Sequence, residues 1–135
     1  MSGELKFLNY EIEELYYRND VNQNLKNNKM TPSLECSILQ NENDKLKFKI
    51  RLKIDLGDEE FKKYDFHAIA CIIGDFEIRE ESEYNLIPNA IAMLFPYIRS
   101  LISDLTSKGN KKPIILPPIN INELLRNAEI DKTEN

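Results

Sequence analysis

Residues 45–54 read Lys-Leu-Lys-Phe-Lys-Ile-Arg-Leu-Lys-Ile: Leu46, Phe48, Ile50, Leu52 and Ile54 alternate without a miss with Lys45, Lys47, Lys49, Arg51 and Lys53. Successive side chains of a strand point to opposite faces, so this period of two predicts a strand with one dry and one wet face. Upstream, Leu34, Cys36 and Ile38 alternate with Glu35 and Ser37. The intervening Gln40-Asn41-Glu42-Asn43-Asp44 is turn chemistry, and the two strands are expected to form a hairpin. Downstream, Asp55-Leu56-Gly57-Asp58-Glu59 predicts another turn, followed by a longer strand from about Phe61 to Ile78. Its stretch Phe66-His67-Ala68-Ile69-Ala70-Cys71-Ile72-Ile73 is apolar on both faces apart from His67. Such a strand must be covered on both sides. One substantial helix covers one side, so the second cover is expected from another subunit. Gly74 then predicts a bulge or a close approach.

The first strand, roughly Leu5 to Tyr17, alternates as Leu8, Tyr10 and Ile12, whereas Leu15 and Tyr17 lie on the opposite parity. A bulge near Glu13-Glu14 accounts for the slip. Asn19 to Thr31 is an Asn-rich crossover whose apolar residues are Val21, Leu25 and Met30. From Asn89 the period becomes helical: Ile91, Leu94, Phe95, Ile98, Leu101, Ile102 and Leu105 follow the three-four spacing of an amphipathic helix. Pro96 belongs either in the first turn or at a kink, and Lys108-Gly109 is a stop signal. Pro113 to Pro118 is expected to be extended, Asn120 or Asn122 to cap a short helix from Glu123 to Ala128, and Ile130 to Asn135 to fray. The expectation is a single α+β domain over residues 1–135: a four-stranded antiparallel sheet within 5–78, then a long and a short helix within 89–128.

Composition narrows the function. The formal charge of -5 argues against a general grip on nucleic acid, whose phosphates reward excess cations. The N-terminus has no apolar run of signal-peptide length, and no stretch reaches the ~18–20 apolar residues of a membrane helix, so a cytoplasmic chain without membrane insertion is expected. Cys36 and Cys71 form no CxxC pattern and read as two buried, reduced thiols. His67 and Cys71 share a strand face but lie roughly 13 Å apart along it, too far for a nucleophile pair. Glu11, Glu13 and Glu14 have no opposed environments to split their acidities. The four glycines, at 3, 57, 74 and 109, make no phosphate loop. Neither an enzyme nor a cofactor or metal is expected. The cationic stripe reads as a solvated face paired with acids such as Glu35, with a nucleic-acid or anionic-surface module over Lys45–Lys53 as the alternative.

The residues Leu94-Phe95-Pro96-Tyr97-Ile98-Arg99, then Ile102, Ser107-Lys108-Gly109 and Leu116-Pro117-Pro118-Ile119-Asn120-Ile121 resemble the C-terminal signature of the SecB export chaperones. The resemblance is specific over about Asn89 to Leu125 and weaker over Leu5 to Ile78, where strand order and lengths agree but few identities do. It implies a four-stranded antiparallel sheet with a long and a short helix, assembled as a homotetrameric dimer of dimers with the long helices packed between two sheets. It further implies ATP-independent holding of unfolded or aggregation-prone polypeptide, for protein export or, in members tied to toxin–antitoxin systems, for an antitoxin. Val21, Leu25, Met30, Ile119, Ile121, Leu124 and Leu125 read equally as core or, on that resemblance, as client contacts in a groove flanked by the crossover and the short helix. His67, Ile69, Cys71, Ile98, Leu101, Ile102 and Leu105 are the expected oligomer interface. Members that hand clients to the SecA motor present acids on the sheet face. The aligned stretch Phe66-His67-Ala68-Ile69-Ala70 has none, and Asn19-Asp20 keeps one, which weakens the expectation of SecA as a partner.

Overall fold

The alternating segments pair as strands in a computed structural model that describes residues 5–22, 32–79, 86–109 and 112–133. The elements are β1 (Leu5–Asn19), β2 (Ser33–Asn41), β3 (Lys47–Gly57), β4 (Phe66–Ile78), α1 (Ile87–Ser107), α2 (Ile121–Arg126) and β5 (Glu129–Thr133). The sheet order is β1-β4-β3-β2-β5, antiparallel throughout except for the parallel pair β2–β5. The four-stranded antiparallel sheet and two helices read from the sequence are therefore present. The β2–β3 turn closes as expected, with Asn41 Oδ1 accepting from the amides of Asn43 and Asp44. β1 slips register between Ile12 and Glu14, at the expected bulge, and a second time between Phe7 and Asn9.

One face of β3 and β4 is dry because its side chains lie under α1, while α2 packs over β2. Ile50, Leu52, Ile54 and Ile72 meet Ile91, Leu94, Ile98 and Ile102 in a core where each is essentially fully buried. Gly74 is a close approach rather than a bulge: a Cβ there would sit 2.9 Å from Leu94 Cδ1. Pro96 lies inside α1, not in its first turn. Pro96 and Ala92 are both on the exposed side of the helix, so the carbonyl that proline leaves without an amide partner faces solvent. Asn120 caps α2, its Oδ1 accepting from Glu123 N at 3.1 Å.

Two segments depart from the sequence reading. β4 begins at Phe66, not near Phe61. Residues 58–65 form a loop in which the Asp58 carboxylate accepts from the amides of Glu60, Lys62 and Lys63, while Phe61 takes a positive φ of 55° beneath the Arg18 guanidinium. Local side-chain capping thus outweighs the apolar signal of Phe61 and Tyr64. The tail expected to fray from Ile130 instead forms β5, because the outer edge of β2 supplies backbone partners over Ser37–Asn41.

Ile98 is fully buried within the single chain, so Ile98→Ala is expected to cost about 2–5 kcal/mol of stability. A urea unfolding midpoint lowered without a change in slope would be the confirming observation. A loss well under 1 kcal/mol would contradict the core placement.

Candidate functional site

The segment after α1 has no regular secondary structure, yet it is held firmly at one point. Thr106, 3% exposed, donates to Ile102 O and accepts from Ile114 N, each at 2.8 Å. Ser103 Oγ donates to Ile114 O at 3.0 Å. Both backbone groups of Ile114 are thereby clamped to the last turns of α1. Beyond the clamp, Ile115 points out at 74% exposure and Leu116 turns inward at 4%. The prolines keep the link extended until Asn120 starts α2.

Between this link, α2 and the start of β2 lies an open groove of about 290 Å³. The buried Ile54, Phe95, Leu116 and Leu124 line it, together with Pro32, Leu34 and Ile119. Asn120, Glu123 and Asn127 give it a polar rim. An apolar trough with a few polar groups at its margin suits an extended, mainly apolar peptide segment.

The expected client contacts divide. Ile119 and Leu124 line the groove, whereas Ile121 and Leu125 pack partly buried against the core. Val21 is 82% exposed beyond the end of β1 and does not line this groove. Leu25 and Met30 lie outside the described residues. Sequence reasoning missed Pro32, Leu34, Ile54, Phe95 and Leu116, which come from distant parts of the chain. The extended Pro113–Pro118 link was the available signal for Leu116.

The expected interface residues lie largely inside the single chain. His67, Cys71, Ile98, Ile102 and Leu105 are each at most 9% exposed in the single chain and have almost no surface to give a partner; Ile69 and Leu101 are half-buried. The outer side of β4 is shaded by long side chains of its neighbours. Tyr16 lies edge-on to His67, which pairs through Nε2 with Asp55 at 2.8 Å. Glu13, turned outward at the β1 bulge, binds Arg51 Nε at 2.7 Å and accepts from Cys71 Sγ at 3.2 Å. His67 and Cys71 therefore each have a carboxylate partner from a neighbouring strand. A different apolar band stays open: Ile12 and Leu15 of β1, in register with Ile72 and Ala70, and Met93 and Tyr97 of α1 are each more than 40% exposed. The Tyr97 ring packs tilted against Tyr10 and Phe7 and ties the two halves together.

The cationic face of β3 is largely compensated. Lys49 pairs with Asp75, Arg51 with Glu13, and Lys53 stands opposite Glu35. Among the described residues no cluster of three or more His, Cys, Asp or Glu could hold a metal, and no helix is long and apolar enough to cross a membrane.

The sequence matches the family described as preprotein translocase subunit SecB over residues 10–132. The chain belongs to the SecB family. It is 34% identical to an uncharacterised protein of Methanocaldococcus jannaschii across 97% of this chain and 88% of that one. It is also 34% identical to the protein-export protein SecB of Caulobacter vibrioides, over 53% of this chain and 47% of the relative. Among solved structures it resembles a Mycobacterium tuberculosis SecB-like chaperone in complex with a ChAD peptide from the HigA1 antitoxin. That match has a TM-score of 0.66 at 12% identity, covers 88% and 90% of the two chains, and bears on the fold.

Burial raises the Cys36 thiol to about 11; burial first, then its bond to Glu13, pushes Cys71 up to about 12. Both thiols are expected to react slowly with an aromatic disulfide reagent at pH 8 and fully after unfolding; immediate reaction of Cys71 in the native chain would contradict its packing. The Arg51 hydrogen bond, followed by that from Cys71, holds the Glu13 carboxyl below its ordinary range. Its contribution is accordingly present above that range and lost as pH falls through the lowered value. Because the pair is partly exposed, Glu13→Gln should cost at most ~1 kcal/mol at pH 7, a difference from wild type that vanishes in acid unfolding series.

Proposed function

We propose that this chain holds extended segments of unfolded or aggregation-prone polypeptide without nucleotide, using the groove between the link, α2 and β2. The observation that carries this reading is the apolar trough with a polar rim, built from the same Leu116–Ile121 segment that bears the SecB signature. A SecB-like relative solved with an antitoxin peptide supports a short stretch of polypeptide as the client unit, whether the client is bound for export or is an antitoxin. The charge compensation of Lys49 and Arg51 disfavours the alternative of a nucleic-acid or anionic-surface module.

We further propose assembly into a dimer of dimers. The support is the open band of Ile12, Leu15, Met93 and Tyr97, apolar surface of the kind that marks a protein interface. Sedimentation at micromolar concentration is expected to give an assembly, and a stable 15.8 kDa monomer would contradict it.

Titration with a reduced, carboxymethylated unfolded protein tests the groove. Ile119→Asp places a charge on the groove wall that a client would desolvate, so binding should weaken roughly tenfold or more with the fold intact. Ile115→Asp, on the outward side of the same link, should bind as wild type does. Equal binding by both variants would overturn the groove assignment.

A further inference from the structure

The groove, the outer edge of β2 and β5 are contiguous. Pro32 and Leu34, at the start of β2, line the groove. Asn127 at its rim is two residues before β5 begins. β5 then runs parallel to β2, pairing Ser37 with Glu129 through Asn41 with Thr133. Among the described residues, no strand pairs with the outer edge of Ser33–Cys36. Among the described residues the edge of β2 is therefore half occupied, and its open half lies against the groove.

The two edges of the sheet differ in their protection. β1 is broken by two register shifts and carries Glu11, Glu13, Glu14 and Arg18. β2 runs against β3 over eight consecutive pairs without a shift. Between Ser33 and Asn41 it has no proline or lysine, and Glu35 is its one charge. Bulges, charges and prolines are what usually stop an edge from taking another strand, and β2 has little of them. β5 demonstrates that the edge accepts a strand. Its hold is slight, because it makes five parallel pairs and leaves Ile130 64% exposed. Short parallel ladders are weaker per residue than antiparallel ones, and segments with little apolar burial open first.

Building on the reading of the groove as a client site, we infer that the outer edge of β2 is a strand-acceptor site for the client itself. An extended apolar segment leaving the groove adds to β2 through its backbone, and β5 competes for the second half of the same edge. Backbone pairing recognises no particular sequence, while alternate side chains of the added strand fall toward the apolar groove. β5 is thus a strap carried by the chain on its own acceptor edge.

The test locks or removes the strap. Gln40 and Lys132 are register partners, and in Q40C/K132C a disulfide holds β5 on β2. The two native thiols are buried and held protonated, so they do not compete for it. Affinity for a reduced, carboxymethylated unfolded protein is measured for the oxidised and the reduced double variant, and for a chain ending at Ala128. The oxidised form is expected to bind roughly fivefold or more weakly than the reduced form, and the shortened chain more tightly than the full one. Client binding by the full chain with oxidised and reduced forms within about twofold overturns the edge proposal and leaves the holding function standing. Absence of binding by every form overturns both. Should the shortened chain fail to fold, the oxidised and reduced pair decides alone.

Discussion

Everything else in this chain hangs on the packing of α1 across β3 and β4. Ile91, Leu94, Ile98 and Ile102 on the helix and Ile50, Leu52, Ile54 and Ile72 on the sheet are essentially sealed from water. Burying each such side chain is worth about 1.5–3 kcal/mol. Gly74 lets Leu94 close on the sheet where any larger residue would hold it off. The contact also fixes the rotation and the end of α1, which places Ser103 and Thr106 against Ile114. That clamp sets the inward turn of Leu116 and the start of α2, and so the groove. A site that is mostly backbone link and one short helix thus inherits its shape from a core several turns away.

The opposite face of the sheet follows a different rule. Beside the His67–Asp55 hydrogen bond, its cations and acids interleave as Lys49–Asp75 and Arg51–Glu13. Partly exposed pairs of this kind each contribute at most ~1 kcal/mol, so they tune the face more than they hold it together. The bulge in β1 matters more. It turns Glu13 toward Arg51 and Cys71 while leaving Leu15 and Tyr17 on the helix side with Ala70 and Ala68. One extra residue thereby lets β1 seal the outer side of β4 with a carboxylate and still present apolar side chains next to α1.

Much of this was legible from periodicity. The alternation of Leu46–Ile54 placed β3 and its dry face, the parity change between Ile12 and Leu15 placed the bulge, and the three-four spacing from Ile91 to Leu105 placed α1. What escaped depends on neighbours rather than on a segment's own pattern. The doubly apolar run Phe66–Ile73 called for a second cover. That cover comes in good part from Tyr16, Glu13 and Arg51 of adjacent strands, reach that no spacing records. Glu129–Thr133 is too short and polar to announce a strand, and it becomes one because the β2 edge is available. The groove draws Leu34, Ile54, Phe95, Leu116 and Leu124 from five separate elements or links, so only Ile119 and Leu124 could be named in advance.

We propose that an unfolded polypeptide lies in the groove between the link, α2 and β2. Amide hydrogen exchange of the full chain with and without a saturating unfolded protein measures this directly. Slowed exchange concentrated in residues 114–125 and at the start of β2 is the predicted result. Protection confined to the charged face of β3, at residues 47–53, with the link and α2 unchanged, would contradict it.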